Sequence, residues 1–272
     1  MSLILTWLSA VIFSVSTALG HFFPALTPVN PTPISREQLA QLEELAKNAS
    51  NAFNNGDLAT SDRFWSEAIE QFPNNPALWS NRGNVRAGRN QLELAISDYD
   101  RSIELAPDLP DAYLNRGAAY EGLGDYPQAL ANYDRVLELE PDDAAAYNNR
   151  GNAKAGLQDW EGAIADYQKA AELEPRLGIA RTNYALMLYQ LGDAEESLRN
   201  FKNLARKYPQ FADVRAALTA VLWDRGRFGE AESNWVAAVG LDPRYRDIEW
   251  VTHIRRWPPA MAIALEKFLK IS

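Results

Sequence analysis

The 272-residue sequence predicts an all-α fold, an α-solenoid of six stacked helix-turn-helix units with an N-terminal apolar helix and a C-terminal capping region. Three observations predict it. Prolines recur every 34 residues at Pro73, Pro107, Pro141, Pro175, Pro209 and Pro243. The same step carries a small residue through Ala95, Ala129, Ala163, Ser197 and Ala231, and an aromatic one through Trp65, Tyr99, Tyr133, Tyr167, Phe201 and Trp235. Trp79, Tyr113 and Tyr147 open successive units, and Gly83, Gly117 and Gly151 follow each of them four residues later. A fixed period of this length marks a stacked repeat.

Taken in order, the chain begins with an apolar segment, residues 1–23. No Asp, Glu, Lys or Arg precedes Arg36, and Leu3 to about Phe23 is long enough to cross a bilayer as a helix. We read it as a single-pass membrane anchor. The alternative is a cleaved leader, for which small residues at Ser16, Ala18 and Gly20 would suit a cleavage site, although no Lys or Arg precedes the core. Residues 24–35 form a proline-rich linker, "PALTPVNPTPIS", expected to be extended. With few Lys or Arg on either flank, the side of the membrane that the repeats face stays open, as does the choice between plasma membrane and thylakoid.

A helix is expected to start near Ser35 and to lead into the repeats 42–75, 76–109, 110–143, 144–177, 178–211 and 212–245, which place the repeat domain at 36–245. In the third unit the spacing predicts one helix over Ala112–Gly122, a break at Gly124-Asp125 and a second helix over Pro127–Glu138. Pro141 ends it, since proline removes a backbone donor. Gly117 and Ala129 are small where the two helices must approach, while Tyr113, Tyr120, Tyr133 and Leu137 fill gaps. One hairpin cannot bury its apolar face alone, so neighbours stack. The glycines are therefore packing residues and not a phosphate loop. Residues 246–272 break the period. A helix over Asp247–Arg256, a corner at Pro258-Pro259 and a last helix with Met261, Leu265, Phe268 and Leu269 on one face suit a cap over the end of the stack.

The order aromatic, small, glycine, alanine, aromatic, small, proline resembles the tetratricopeptide repeat, best in 76–109, 110–143 and 144–177. The terminal units depart from it, with Leu45, Ser61 and Arg215 at pattern positions. The resemblance implies a right-handed superhelix whose first helices line a concave groove that takes extended peptide segments. On that reading the groove residues are Asn81, Asn84, Asn115, Asn149, Asn152 and Asn183, with Leu186, Tyr189 and Trp223 as an apolar end near Ile179. An amide offers an extended backbone both a donor and an acceptor. The competing reading for the asparagines is hydrogen bonding between helices inside the stack. The carboxylate clamp of heat-shock co-chaperones is unlike this chain, because Ser80, Ala145 and Asn149 stand where its basic residues would be, and in the next registers Leu114 and Asn148 replace the first lysine.

The triplets Asn81-Arg82-Gly83, Asn115-Arg116-Gly117 and Asn149-Arg150-Gly151 are followed, sixteen residues after each arginine, by Asp98, Asn132 and Asp166. We expect pairing of Arg82 with Asp98 and Arg150 with Asp166 across each hairpin. The rival reading turns the arginines into the groove.

A net charge of −9 argues against a nonspecific nucleic-acid partner. The absence of cysteine excludes disulfides and thiolate chemistry, and His21 and His253 are the only histidines. No metal, cofactor or catalytic residue is expected, so the protein is read as a non-enzyme. The expected function is a membrane-tethered scaffold that binds other proteins. Its apolar start, proline linker and acidic repeats are similar to photosystem assembly factors of cyanobacteria and chloroplasts. The alternatives are a secreted or periplasmic adaptor and a regulatory subunit of an enzyme.

Overall fold

A computed structural model of the protein describes residues 35–271. The anchor reading for 1–23 and nearly all of the linker lie outside them. Among the described residues no helix is long and apolar enough to cross a membrane, and all regular structure is helical. The helices are α1 (Arg36–Asn54), α2 (Leu58–Gln71), α3 (Pro76–Gly88), α4 (Leu92–Leu105), α5 (Pro110–Leu123), α6 (Tyr126–Leu139), α7 (Ala144–Gly156), α8 (Trp160–Leu173), α9 (Gly178–Gln190), α10 (Ala194–Lys207), α11 (Ala212–Asp224), α12 (Phe228–Leu241) and α13 (Pro259–Leu269).

Local chemistry sets the boundaries. Ser35 and Gln38 form a reciprocal capping box at the start of α1. Asp57, Asp125, Asp159 and Asp193 cap the second helix of their hairpins by accepting from the backbone three residues on. Pro76 and Pro110 sit at the first helical position, where a missing donor costs nothing. Gly124 closes α5 in the left-handed region at φ +79°, which a side chain would disfavour.

The described residues divide into two compact units, one ending at Asp142 and the other beginning at Asp143. In the first, α1 packs on α2, α3 on α4 and α5 on α6, with each hairpin also packed on the next. Its core has one cluster around Leu42, Trp65, Leu78 and Val85 and another around Leu92, Tyr99 and Ala119. In the second, the hairpins α7–α8, α9–α10 and α11–α12 share one larger cluster that includes Phe201, Leu222, Trp257 and Phe268. The pairing glycines work as expected. A Cβ on Gly83, Gly117 or Gly151 would lie 2.6–2.7 Å from the ring of Tyr99, Tyr133 or Tyr167 on the opposite helix.

The cap differs from expectation. In place of a regular helix over Asp247–Arg256 there is a 3₁₀ turn, Pro243–Arg246, and a π-turn, Trp250–Ile254. The widened turn lets the Arg255 N–H donate to Trp250 and the Trp257 N–H to Val251. Those bonds accompany the insertion of Arg255 and Trp257 toward a buried carboxylate, Asp213. The last helix, α13, buries Met261, Leu265 and Phe268 as its periodicity predicts, with Leu269 at the margin.

Candidate functional site

The arginine triplets are structural. Arg82 makes a two-point contact with Asp98, Nε to Oδ2 at 3.0 Å and Nη2 to Oδ1 at 2.7 Å, and it also donates to Ser66. Arg86 binds the same carboxylate at 2.9 Å and reaches Asp62 at 3.0 Å. Burial raises the Asp98 pKa against the pull of Arg82 and Arg86. Arg150 repeats the fork on Asp166 at 2.8 and 2.7 Å, with Lys154 added at 2.7 Å. In the third repeat Arg116 takes Asn132 at 2.8 Å and Asp100 at 2.6 Å. The guanidinium groups face partners within the fold and not a groove.

The asparagine row is also mostly inside. Asn81, Asn84, Asn149 and Asn183 are buried, so they do not form the open ladder that the resemblance implied. Asn84 accepts from the Tyr99 hydroxyl at 2.8 Å, and Asn152 accepts likewise from Tyr167 at 2.9 Å. The Asn183 amide donates to Asn148 at 3.2 Å and to Asn152 at 3.3 Å, and Asn148 donates to Asn149 at 3.2 Å. Buried amides ordinarily have such partners, which the Asn81 amide lacks among the described residues, and these bonds join α7 and α9 through a polar chain in which Asn148 is central. Sequence reading named Asn148 only as a residue unlike the clamp lysine, because no amide recurs at its position, where Ser80, Leu114 and Thr182 stand in the neighbouring repeats. Asn115 and Asn152 keep partial exposure. In the third repeat Ala118 replaces the acceptor seen at Asn84, and buried Glu121 receives the Tyr133 hydroxyl instead, at 3.1 Å.

The expected apolar end of the groove is filled by the chain itself. Leu186 is buried, and α13 packs on both α9 and α11. Phe268 lies 5.1 Å from the Trp223 ring and 5.2 Å from that of Trp235, while Phe228 covers Trp223 from another side at 4.5 Å. Tyr189 donates to Asp224 at 2.9 Å, and burial together with that carboxylate pushes its hydroxyl pKa up. Trp223 is thus a seat for the cap, while Leu186 belongs to the same apolar core and Tyr189 is tied to α11. Asp213 fastens it, accepting from Tyr245, Arg255 and Trp257. Burial works against the charge of Arg255, but attraction to Asp213 outweighs it and the net shift is upward.

Among the accessible surfaces of the first unit is one on α5, with Asp111 exposed and Leu114, Asn115 and Ala118 partly exposed, residues spaced to share one side of a helix. Among the described residues no group of three or more histidines and carboxylates could hold a metal ion.

Comparisons agree with this geometry. Family models described as tetratricopeptide repeat match residues 110–143, 144–177 and 185–246, and one described as TPR repeat matches 83–124. No curated protein matches in sequence. Among solved structures, a tetratricopeptide repeat protein from Parabacteroides merdae superimposes with a TM-score of 0.63 at 23% identity, over 85% of this chain and 86% of that one. YrrB, a TPR protein with an unusual peptide-binding site, gives a TM-score of 0.53 at 21% identity, over 75% of this chain and 97% of its own. MamA from Desulfovibrio magneticus gives 0.56 at 22% identity, over 61% and 94%. Repeat period, hairpin packing and these matches together place the chain in the tetratricopeptide-repeat family.

Proposed function

We propose that the protein is a non-catalytic scaffold that gathers partner proteins at a membrane, held there by residues 1–23. A family whose fold commonly presents interaction surfaces supports the first part, and the uncharged apolar start of the sequence supports the second. Assembly of a membrane complex, of photosynthetic type on the similarity noted above, is the process that suits both. The carrying observation is the α5 face. Leu114, Asn115 and Ala118 are partly exposed where the equivalent Ser80, Asn81 and Asn84 are buried. A partner segment laid along α5 would bury Leu114 and hydrogen-bond to the Asn115 amide.

The test is recovery of partners from native membranes on full-length protein, followed by titration with the partner recovered. Leu114→Asp and Asn115→Ala should weaken binding, the latter by about two- to tenfold if one net hydrogen bond is lost. Undiminished affinity in the folded double variant would defeat this reading. Resistance to alkaline carbonate extraction supports the tether, whereas a mature amino terminus near Leu19 or His21 would replace it with the secreted adaptor.

A further inference from the structure

The second, third and fourth repeats share a device on the first helix: an aromatic residue followed three positions later by arginine. Arg82 lies 4.9 Å over Trp79, Arg116 5.5 Å over Tyr113 and Arg150 5.2 Å over Tyr147. Ring and guanidinium fill the space beside the second helix, and Asp98 or Asp166 neutralises the arginine in two of the three. The sixth repeat reverses this. Arg215 occupies the aromatic position, Leu218 the arginine position, and Asn234 the position of Asp98 and Asp166.

The reversal leaves an opening of about 320 Å³ among α10, α11 and α12. Its apolar lining is Ala205, Leu218 and Leu222, and three cations, Lys202, Arg206 and Arg215, stand around it. Arg215 has only neutral partners among the described residues, donating to Asn234 at 2.8 Å and to the carbonyls of Ala205 and Pro209 at 3.4 and 3.5 Å. Arg206 donates to Asn203 at 3.2 Å and pairs with no carboxylate among the described residues. The acid at the rim, Glu230, is shared between Lys202 at 3.4 Å and Arg227. The Arg215 guanidinium is partly buried and bound only by neutral groups among the described residues, so it can take a carboxylate as its counter-ion.

We propose that this cavity receives a carboxylate side chain, a glutamate from an acidic segment of a partner protein. The planar guanidinium of Arg215 matches a carboxylate in two-point geometry. The apolar lining of Ala205, Leu218 and Leu222 suits glutamate methylenes, which a free phosphate lacks. The site is formed by α10, α11 and α12 and does not depend on the α5 reading.

The probe is a fluorescein-labelled hexapeptide with two adjacent glutamates flanked by leucines, titrated by anisotropy into full-length protein beside its glutamine counterpart. Wild-type protein should bind the glutamate peptide at least tenfold more tightly than the glutamine one, with affinity falling as salt rises. Asn234→Asp restores an internal carboxylate to Arg215, and Arg215→Trp refills the space. Each should reduce binding at least tenfold. Arg63→Ala, which removes an exposed cation of α2 outside the cavity lining, should leave it unchanged. Equal affinity in Asn234→Asp, equal binding of the glutamine peptide, or loss in Arg63→Ala would overturn the proposal. Displacement by inorganic phosphate as readily as by free glutamate would do so too, since it would show an unselective anion site.

Discussion

Gly151 has no room for a methyl group: a Cβ there would lie 2.7 Å from Cε1 of Tyr167, whose ring is itself buried. Gly240 faces open space, with no atom within 4 Å of the point a Cβ would occupy. The same substitution should therefore have opposite signs at the two sites. Gly151→Ala should destabilise by about 1–3 kcal/mol through overpacking, and Gly240→Ala should stabilise by up to about 0.5 kcal/mol through helix preference. Urea denaturation followed by circular dichroism separates them, and a shift of the same sign in both would contradict the packing role. The glycine role was legible in the sequence because a small residue recurring with a tyrosine implies close approach. The fate of the asparagines was not. A recurring amide can serve a ligand or a neighbouring helix, and only the distances from Asn183 to Asn148 and Asn152 decide for the helix.

Helix pairs were legible as elements because proline, glycine and, in four of the six, a capping aspartate mark their ends, and the observed α5 and α6 exceed their expected limits by only one or two residues. The place of α13 was harder to read. Its apolar face announces that it is buried, but the same pattern would serve the end of the stack, a membrane or a partner. The deciding residue is Asp213, far away in sequence, which accepts from both Arg255 and Trp257 and so directs α13 onto α9 and α11. Phe268 is the main apolar contact of that helix with Trp223 and Trp235. Phe268→Ala should cost about 3–5 kcal/mol and shift tryptophan emission to the red as both rings meet water. Unchanged emission would mean that Phe268 does not cover them in solution.

For the whole molecule, a repeat array has no obligation to unfold as one body, because its stability is a sum of repeat and interface contributions. The two units here are unequal in kind. The first holds two separate, modest apolar clusters, around Trp65 and around Tyr99, whereas the second holds one continuous cluster from Ala163 to Phe268. Nearly all of α11 is buried, and the cap adds Trp250, Trp257, Met261, Leu265 and Phe268 to the same core. Period alone could not foresee this gradient, since each repeat keeps the same spacing while the side chains between the signature positions change from polar in α3 to apolar in α11. Backbone amides in α1 and α2 should therefore exchange with deuterium well before those of α9 and α11 under native conditions. Hydrogen exchange read by mass spectrometry on peptides from each helix provides the measurement. Phe268→Ala should bring the exchange rate of α11 closer to that of α2 and leave α2 itself unchanged. Uniform protection from α1 to α11, lost in a single step, would show that the chain behaves as one cooperative body and that the continuous cluster gives the second unit no separate stability.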